Sequence, residues 1–394
     1  VNYRLAARTK HLTSSAVRDI LKVINEGNVI SFAGGLPDDA LFPVEPLRVA
    51  FEKTLQSGHQ ALQYGVTEGF VPLREVLVDR LARKGIVTNV DRILLTTGSQ
   101  QAIDLFSRVM FDPGDVVLTE DPTYLAALQV FKSYEAKVIS VQSDDFGMIL
   151  DDLEEKIRTY HPKAIYIVPT FSNPVGKVWT LERRQALLQL AKEHDVIIFE
   201  DDPYGEIQFH EEEITPIAAL DDGTTVLYTS TFSKTVVPAL RSGWISGPIE
   251  IMKVIAQAKQ GADLHSSLID QEALYYLLQD FDIEAHIQKI RSEYKFRMNL
   301  MLDELKKINM DGLSYGVPRG GMFFWVRMPE EISTTKMLDK AIGQGFAYVP
   351  GAPFYVNDPK ENTLRLNFSH PTPVQIREGM KSFVNVFSEA LQVY

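Results

Sequence analysis

The chain has 394 residues, 45% of them hydrophobic and 23% charged, which is ordinary globular-protein usage and long enough for two packed domains. A formal net charge of −12 speaks against nucleic acid or an anionic membrane as a partner, and no apolar run approaches the ~18 residues of a bilayer span. With no cysteine, disulfides, thiolate catalysis and cysteine-based zinc sites are excluded, which fits a cytoplasmic protein with no expected metal.

The opening, VNYRLAARTK, lacks the apolar segment of a signal peptide, and Val1 is not an initiator methionine, which leaves room for residues ahead of it. From about Asp91 to Gly247, short apolar runs alternate with stretches of helical spacing. The runs cover 92–97, 115–120, 136–141, 164–169, 195–200, 225–230 and 242–247. Most are rich in β-branched residues without clean alternation, as expected of strands buried on both faces. Segments 99–110 and 180–193 have helical apolar spacing. Alternating units of this kind predict an α/β fold whose large domain holds a mostly parallel seven-stranded sheet covered by helices.

After Gly247 the pattern changes. Ile283, Ile287, Ile290, Tyr294, Met298, Met301, Leu305 and Ile308 step by threes and fours along one long amphipathic helix. GMFFWVRM (321–328), a helix near 333–343, TLRLNFS (363–369) and a final helix from about Pro373 predict a smaller α+β domain. The expected division is an N-terminal segment, 1–45, contributing to the small domain and the site, a large domain, 46–290, and a small C-terminal domain, 291–394.

Residues able to do chemistry gather after the ends of the apolar runs. In STFSKTVVPALRS (230–242), Lys234 follows a strand at its carboxyl end, where open α/β sheets place ligands. Thr231 and Ser233 add hydroxyls and Arg241 a guanidinium suited to an oxyanion or phosphate. An isolated Ser-Lys pair is more often a solvated turn, so this stretch decides nothing alone. In FEDDPYGEI (199–207), Asp201 at a strand end suits a protonated heteroaromatic nitrogen, and the Tyr204 phenol suits a ring oxygen. Adjacent acids before proline are otherwise common turn chemistry. In TTGSQQAIDL (96–105), Ser99 and Gln100 open a helix whose free N–H groups suit a phosphate, although a serine N-cap reads equally well. Asn173 in PTFSNPVGK could aim its amide at a ligand, and Tyr124 in EDPTYLAA could stack on a flat ring. Arg365, within an apolar strand, needs an anion. A lysine for a carbonyl, an acid for a ring nitrogen, a phenol and amide for a ring oxygen, a stacking aromatic and a phosphate cup together describe pyridoxal 5'-phosphate.

In order and spacing these motifs resemble the fold-type I pyridoxal-phosphate aminotransferases of class I/II, in the branch of 2-aminoadipate, kynurenine and aromatic aminotransferases and the similar domain of MocR regulators. The likeness runs from ISFAGGLPDDALFP (30–43) to LRLNFS (364–369) and rests most on STFSK…LR.GW and DDPYGE. It implies that Lys234 bonds the cofactor's carbonyl carbon and serves as general acid and base. It also implies that Asp201 pairs with the pyridine nitrogen, and that Tyr204 and Asn173 reach the phenolic oxygen. Tyr124 would stack on the ring, and Ser99, Gln100, Thr231 or Ser233, and Arg241 would hold the phosphate. Many relatives have serine where this chain has Thr231, so which hydroxyl reaches the phosphate stays open.

The same resemblance implies that Arg365 binds the substrate α-carboxylate, with Asn173, Gly35 and Leu36 at the substrate. Arg18 in SSAVRDIL matches an arginine that contacts a side-chain carboxylate in relatives acting on 2-aminoadipate; an exposed helix arginine near Asp19 is its other reading. Tyr64 in ALQYGVTEG would reach the phosphate of a neighbouring subunit, which implies a homodimer. The implied reaction is a ping-pong transfer of the amino group of a 2-amino acid (2-aminoadipate, aromatic or branched-chain) to a 2-oxo acid such as 2-oxoglutarate. A lyase or decarboxylase on the same fold would differ in its products. An effector-binding domain of the MocR kind would need a DNA-binding domain upstream, for which this sequence has no space before Arg18.

Overall fold

The computed structural model describes residues 2–25 and 28–390. The seven apolar runs form one sheet from β1 (Ile93–Thr97), β2 (Val116–Glu120), β3 (Lys137–Val141), β4 (Ala164–Ile167), β5 (Ile197–Asp201), β6 (Val226–Thr231) and β7 (Ser242–Ser246). Their spatial order is β1-β7-β6-β5-β4-β2-β3. All neighbours pair in parallel except β7, which is antiparallel to both β1 and β6. Strands β2, β4, β6 and β7 are buried along their whole length, which is why their sequences do not alternate. One face is covered by helices Gly98–Met110, Leu125–Ser133 and Ile249–Asp263, through Ala102, Phe106, Phe131 and Ile255. The other is covered by Leu150–Tyr160 and Leu181–Glu193, through Leu153, Ile157 and Leu187. The fourth run stops at Ile167, earlier than its apolar composition suggests, with Pro169, which has no N–H for a ladder, just beyond.

A four-stranded antiparallel sheet builds the smaller body from β8 (Ser314–Tyr315), β9 (Phe323–Arg327), β10 (Val349–Pro350) and β11 (Thr363–Asn367), ordered β8-β9-β11-β10. Helices Ile283–Leu305, Thr334–Gly343 and Pro373–Ala390 pack with it. The long helix joins both bodies: Ile283 and Ile287 lie in a core with Leu73 and Leu274, whereas Ile290 and the apolar residues after it pack with Phe324 and Phe383. It ends at Leu305, before Ile308, because Asn309, Asp311 and Gly312, the last at φ +86°, turn the chain.

The N-terminal stretch is sewn to the smaller body. Ile30 and Ser31 pair in parallel with Phe346 and Ala347. Asp38 receives Arg297 at 2.5 Å, and its own N–H donates to the Tyr294 hydroxyl at 2.9 Å. Residues 33–35 are thereby carried over the carboxyl edge of the large sheet. Among the described residues, no helix is long and apolar enough to cross a membrane.

Candidate active site

Strands β1, β2, β4, β5 and β6 point the same way, so the segments that follow them converge on one edge of the sheet. Because β7 is antiparallel, it starts at that edge, and Arg241 immediately precedes it. The result is a cavity of about 340 Å³. Ser99, Gln100, Tyr124, Asn173, Asp201 and Tyr204 line it, as do Thr231, Ser233, Lys234, Arg241, Arg365 and Gly35. All of these are residues expected at the site from the sequence. Three others lie outside the lining. Tyr64 is 78% exposed, edge-on to His265, and Leu36 is 44% exposed. Arg18 is exposed on helix Ala16–Asn25, while Ser15 and Val17 reach the cavity instead. Successive helix positions turn by about 100°, so the face offering Val17 carries Arg18 away.

Alternation at the end of β5, continued by the next residue, separates three consecutive acids. Glu200 accepts the N–H groups of Ile217 and Ala218, both at 2.9 Å, and Asp202 accepts the Tyr228 hydroxyl at 2.5 Å. Only Asp201 faces the cavity. Its Oδ2 accepts the Tyr166 hydroxyl at 2.6 Å, while Oδ1 is buried without a hydrogen-bond partner. Burial pushes this carboxyl up to about 7, against the Tyr166 hydrogen bond, which favours the charged form, and with help from nearby Asp202. Tyr166 is not among the residues expected at the site from the sequence. A tyrosine inside the fully buried β4 needs a hydroxyl partner, and that was the available signal.

Lys234 sits opposite, its ammonium donating to the Gly35 carbonyl at 2.8 Å and lying 5.9 Å from the Tyr204 ring centre. Burial, followed by the positive charges of Arg365 and Arg241, lowers it to about 8. Arg365 is itself buried, donating to Asn173 Oδ1 at 2.6 Å and to the Ala33 carbonyl at 2.7 Å, with Nε left unpartnered. The Phe323 and Phe354 rings lie 4.3 and 5.3 Å from its guanidinium carbon. Among the described residues no carboxylate is within ion-pair distance of it, and burial lowers it to about 10. Burial also pushes the Tyr124 phenol up to about 12 and the buried Tyr204 phenol higher.

At the other end, helix Gly98–Met110 starts directly from β1. Gly98 has φ +71°, and a Cβ there would stand 2.5 Å from the Arg241 guanidinium. A Cβ on Gly243 would meet Ser99 N at 2.8 Å. Both glycines are thus required for β7 and Arg241 to close on the helix N-terminus. Thr231 Oγ1 lies 2.8 Å from Ser233 Oγ and accepts the Ser233 N–H at 3.0 Å. First-turn N–H groups, hydroxyls and a guanidinium around a glycine-lined cup suit a phosphate, and the orphaned Asp201 oxygen suits a cationic ring nitrogen. The donor set therefore fits pyridoxal phosphate.

The family described as aminotransferase class I and II matches residues 27–383. Aromatic-amino-acid aminotransferase 1 of Thermococcus litoralis is 41% identical over 97% of this chain and 93% of its own length. The crystal structure of Pyrococcus horikoshii kynurenine aminotransferase in complex with PMP and KYN is similar at a TM-score of 0.93 and 41% identity, covering 98% of this chain and 97% of that one. LysN, the α-aminoadipate aminotransferase of Thermus thermophilus, crystallised with N-(5'-phosphopyridoxyl)-L-leucine, gives 0.92 and 33% identity, covering 99% and 98%. The chain belongs to the class I and II aminotransferases, and as a fold-type I member it uses pyridoxal phosphate to move amino groups between 2-amino and 2-oxo acids.

Proposed function

We propose that this enzyme acts broadly on 2-amino acids with aromatic or long aliphatic side chains, with 2-oxoglutarate as an acceptor, and that Lys234 both bonds the cofactor and carries the substrate's Cα proton. The observation behind the assignment is the pairing, across one cavity, of a lysine lowered to about 8 with a buried carboxylate lacking a partner for one oxygen. When bound, the cofactor supplies an electron-withdrawing ring that stabilises negative charge at Cα. Asp201, ionised against a protonated ring nitrogen, keeps that nitrogen cationic. Tyr204 and Asn173 would address the phenolic oxygen, Tyr124 would cover a ring face, and Ser99, Gln100, Arg241 and the Thr231–Ser233 hydroxyl pair would hold the phosphate. Arg365 takes the substrate α-carboxylate, the anion its burial calls for. Lys234, which donates to the Gly35 carbonyl and lies 5.9 Å from the Tyr204 ring centre, would accept and return the Cα proton.

Apolar residues in the cavity lining support this substrate class. Val17, Leu125, Ala126 and Phe354 are apolar, and Ser15 offers only a hydroxyl. Such a wall favours apolar side chains through burial alone. Arg18 is exposed and turned from that lining, so it would meet the distal carboxylate of 2-aminoadipate or 2-oxoglutarate only by swinging toward the cavity mouth once substrate is bound. An exposed, solvent-screened pair contributes up to ~1 kcal/mol. Arg18→Ala accordingly raises KM for 2-aminoadipate by about fivefold and leaves phenylalanine kinetics unchanged in steady-state assays.

Arg365→Met raises KM for every amino donor by about 10²-fold, because a charge-assisted contact to a buried guanidinium is lost, while cofactor content by absorbance stays near wild type. The same variant provides a pH test. Only the neutral Lys234 amine attacks a carbonyl, so cofactor capture by the apoprotein accelerates as pH rises through about 8. Removing the Arg365 charge moves that midpoint upward in stopped-flow absorbance. An unmoved midpoint would contradict the electrostatic assignment.

We further propose a homodimer in the cytoplasm with shared sites. Tyr64, Leu62 and Val44 are large apolar groups at 78%, 62% and 70% exposure, surface that a second copy would cover. Tyr64 would then reach the neighbour's phosphate. Sedimentation at assay concentration is expected to give a dimer, and a catalytically active monomer would overturn this part.

A further inference from the structure

Among the buried charges outside the cavity, Lys259 has no part in the reaction as described. Lys259, on helix Ile249–Asp263, is fully buried, yet its ammonium has four acceptor atoms around it. These are Gln101 Oε1 at 2.6 Å, both carboxylate oxygens of Asp263 at 2.9 and 3.0 Å, and Ser266 Oγ at 3.0 Å. Burying an ammonium costs far more than a surface lysine would, and the bare pair with Asp263 does not require a site this deep. The purpose lies in what Gln101 does next.

Gln101 Oε1 also accepts the N–H of Thr97 at 2.8 Å, and its amide donates to Asp263 Oδ2 at 2.7 Å. Thr97 is the residue from which helix Gly98–Met110 starts, so Gln101 reaches back over the first turn as capping side chains do. Thr97 Oγ1 lies 2.9 Å from Ser266 Oγ, which ties the other side of that turn to the same centre. Between these fastened points stand Gly98, Ser99 and Gln100, whose N–H groups and side chains form the helix side of the cup. Helix termini otherwise fray, and a cup made of backbone donors binds only as well as its turn is held.

We infer that Lys259 is a positioning residue for the cofactor's phosphate, fixing through Gln101 and Ser266 the turn that presents Ser99 and Gln100, and thereby setting phosphate affinity. This rests on the reading of Ser99, Gln100 and Arg241 as the phosphate's holders. Lys259 is not among the residues that line the cavity. Its influence therefore falls on ligands bearing a phosphate and spares those without one, a distinction that a general loss of stability would not make.

The test titrates the full-length apoprotein with pyridoxal phosphate and, separately, with pyridoxal, followed by tryptophan fluorescence. Lys259→Met is expected to weaken pyridoxal phosphate about tenfold, the loss of one charge-assisted hydrogen-bonded centre, while pyridoxal changes by less than about twofold. Asp263→Asn keeps the shape, loosens the ammonium and shifts affinity in the same selective way. It decides the matter if Lys259→Met does not fold. Equal weakening of both ligands, or weakening of neither, overturns the inference. Arg241→Ala in the same titration separates this from the cup itself. If Arg241→Ala discriminates between the ligands and the Lys259 and Asp263 variants do not, the cup stands and the role of Lys259 falls. If none of them discriminates, both fall.

Discussion

Lys234→Ala is expected to lower amino transfer by about 10⁴-fold or more, because it removes the general acid and base together with the covalent anchor. The loss should fall on kcat, with donor binding changed little, since Arg365 and the apolar wall remain in place. Single-turnover absorbance gives the decisive readout: the variant still binds cofactor in the phosphate cup but shows no proton transfer after adding phenylalanine. Small exogenous amines should restore part of the rate in proportion to their basicity, because the cavity vacated by the side chain can admit them. Wild-type rates in Lys234→Ala would exclude this lysine from the chemistry.

Asp201→Asn should lower kcat by about 10³-fold, the penalty of leaving a ring cation without its buried counter-charge. The same substitution has an opposite effect on the apoprotein. In the folded chain Asp201 is raised from the ordinary carboxylate range to about 7, so the folded state binds its proton more tightly than the unfolded state does. Stability therefore falls as pH rises from the unfolded value near 4 to about 7, and the full cost is present above that. The cost is on the order of 4 kcal/mol at most. Asparagine removes it, so the Asp201→Asn apoprotein melts higher than wild-type apoprotein at pH 8 and no higher at pH 4. A variant that is less stable at pH 8, with unchanged kcat, would show that Asp201 is a structural acid.

Much of this architecture was legible because its signals are local. A strand buried on both faces must be apolar throughout, so the seven runs stood out without any knowledge of their order. The site was legible for a related reason. Ser99, Tyr124, Asn173 and Lys234 follow, and Asp201 ends, strands that run the same way, so strand direction alone brings them to one edge. Arg365 stood out because a cation inside an apolar strand is costly.

What stayed hidden depends on contacts distant in sequence. Ala33 and Gly35 reach Arg365 and Lys234 only because Ile30 and Ser31 pair with Phe346 and Ala347, more than 300 residues away. The face that helix Ala16–Asn25 turns to the cavity is set by packing, so periodicity did not distinguish Val17 from Arg18. Tyr166 read as one more core residue, and its hydroxyl acquired meaning only beside Asp201. Lys259 and Gln101 belong to different helices, and nothing in either segment marks the bond between them.

The central claim is that Lys234 is the residue joined to the cofactor, and borohydride trapping tests it most directly. The holoenzyme is reduced, digested and mapped by mass spectrometry. The phosphopyridoxyl group is expected on Lys234, within the peptide that also carries Thr231 and Ser233, and is expected to be absent from that peptide once excess amino donor is added before reduction. A phosphopyridoxyl group on any other lysine of the wild-type holoenzyme, with Lys234 unmodified, would contradict it.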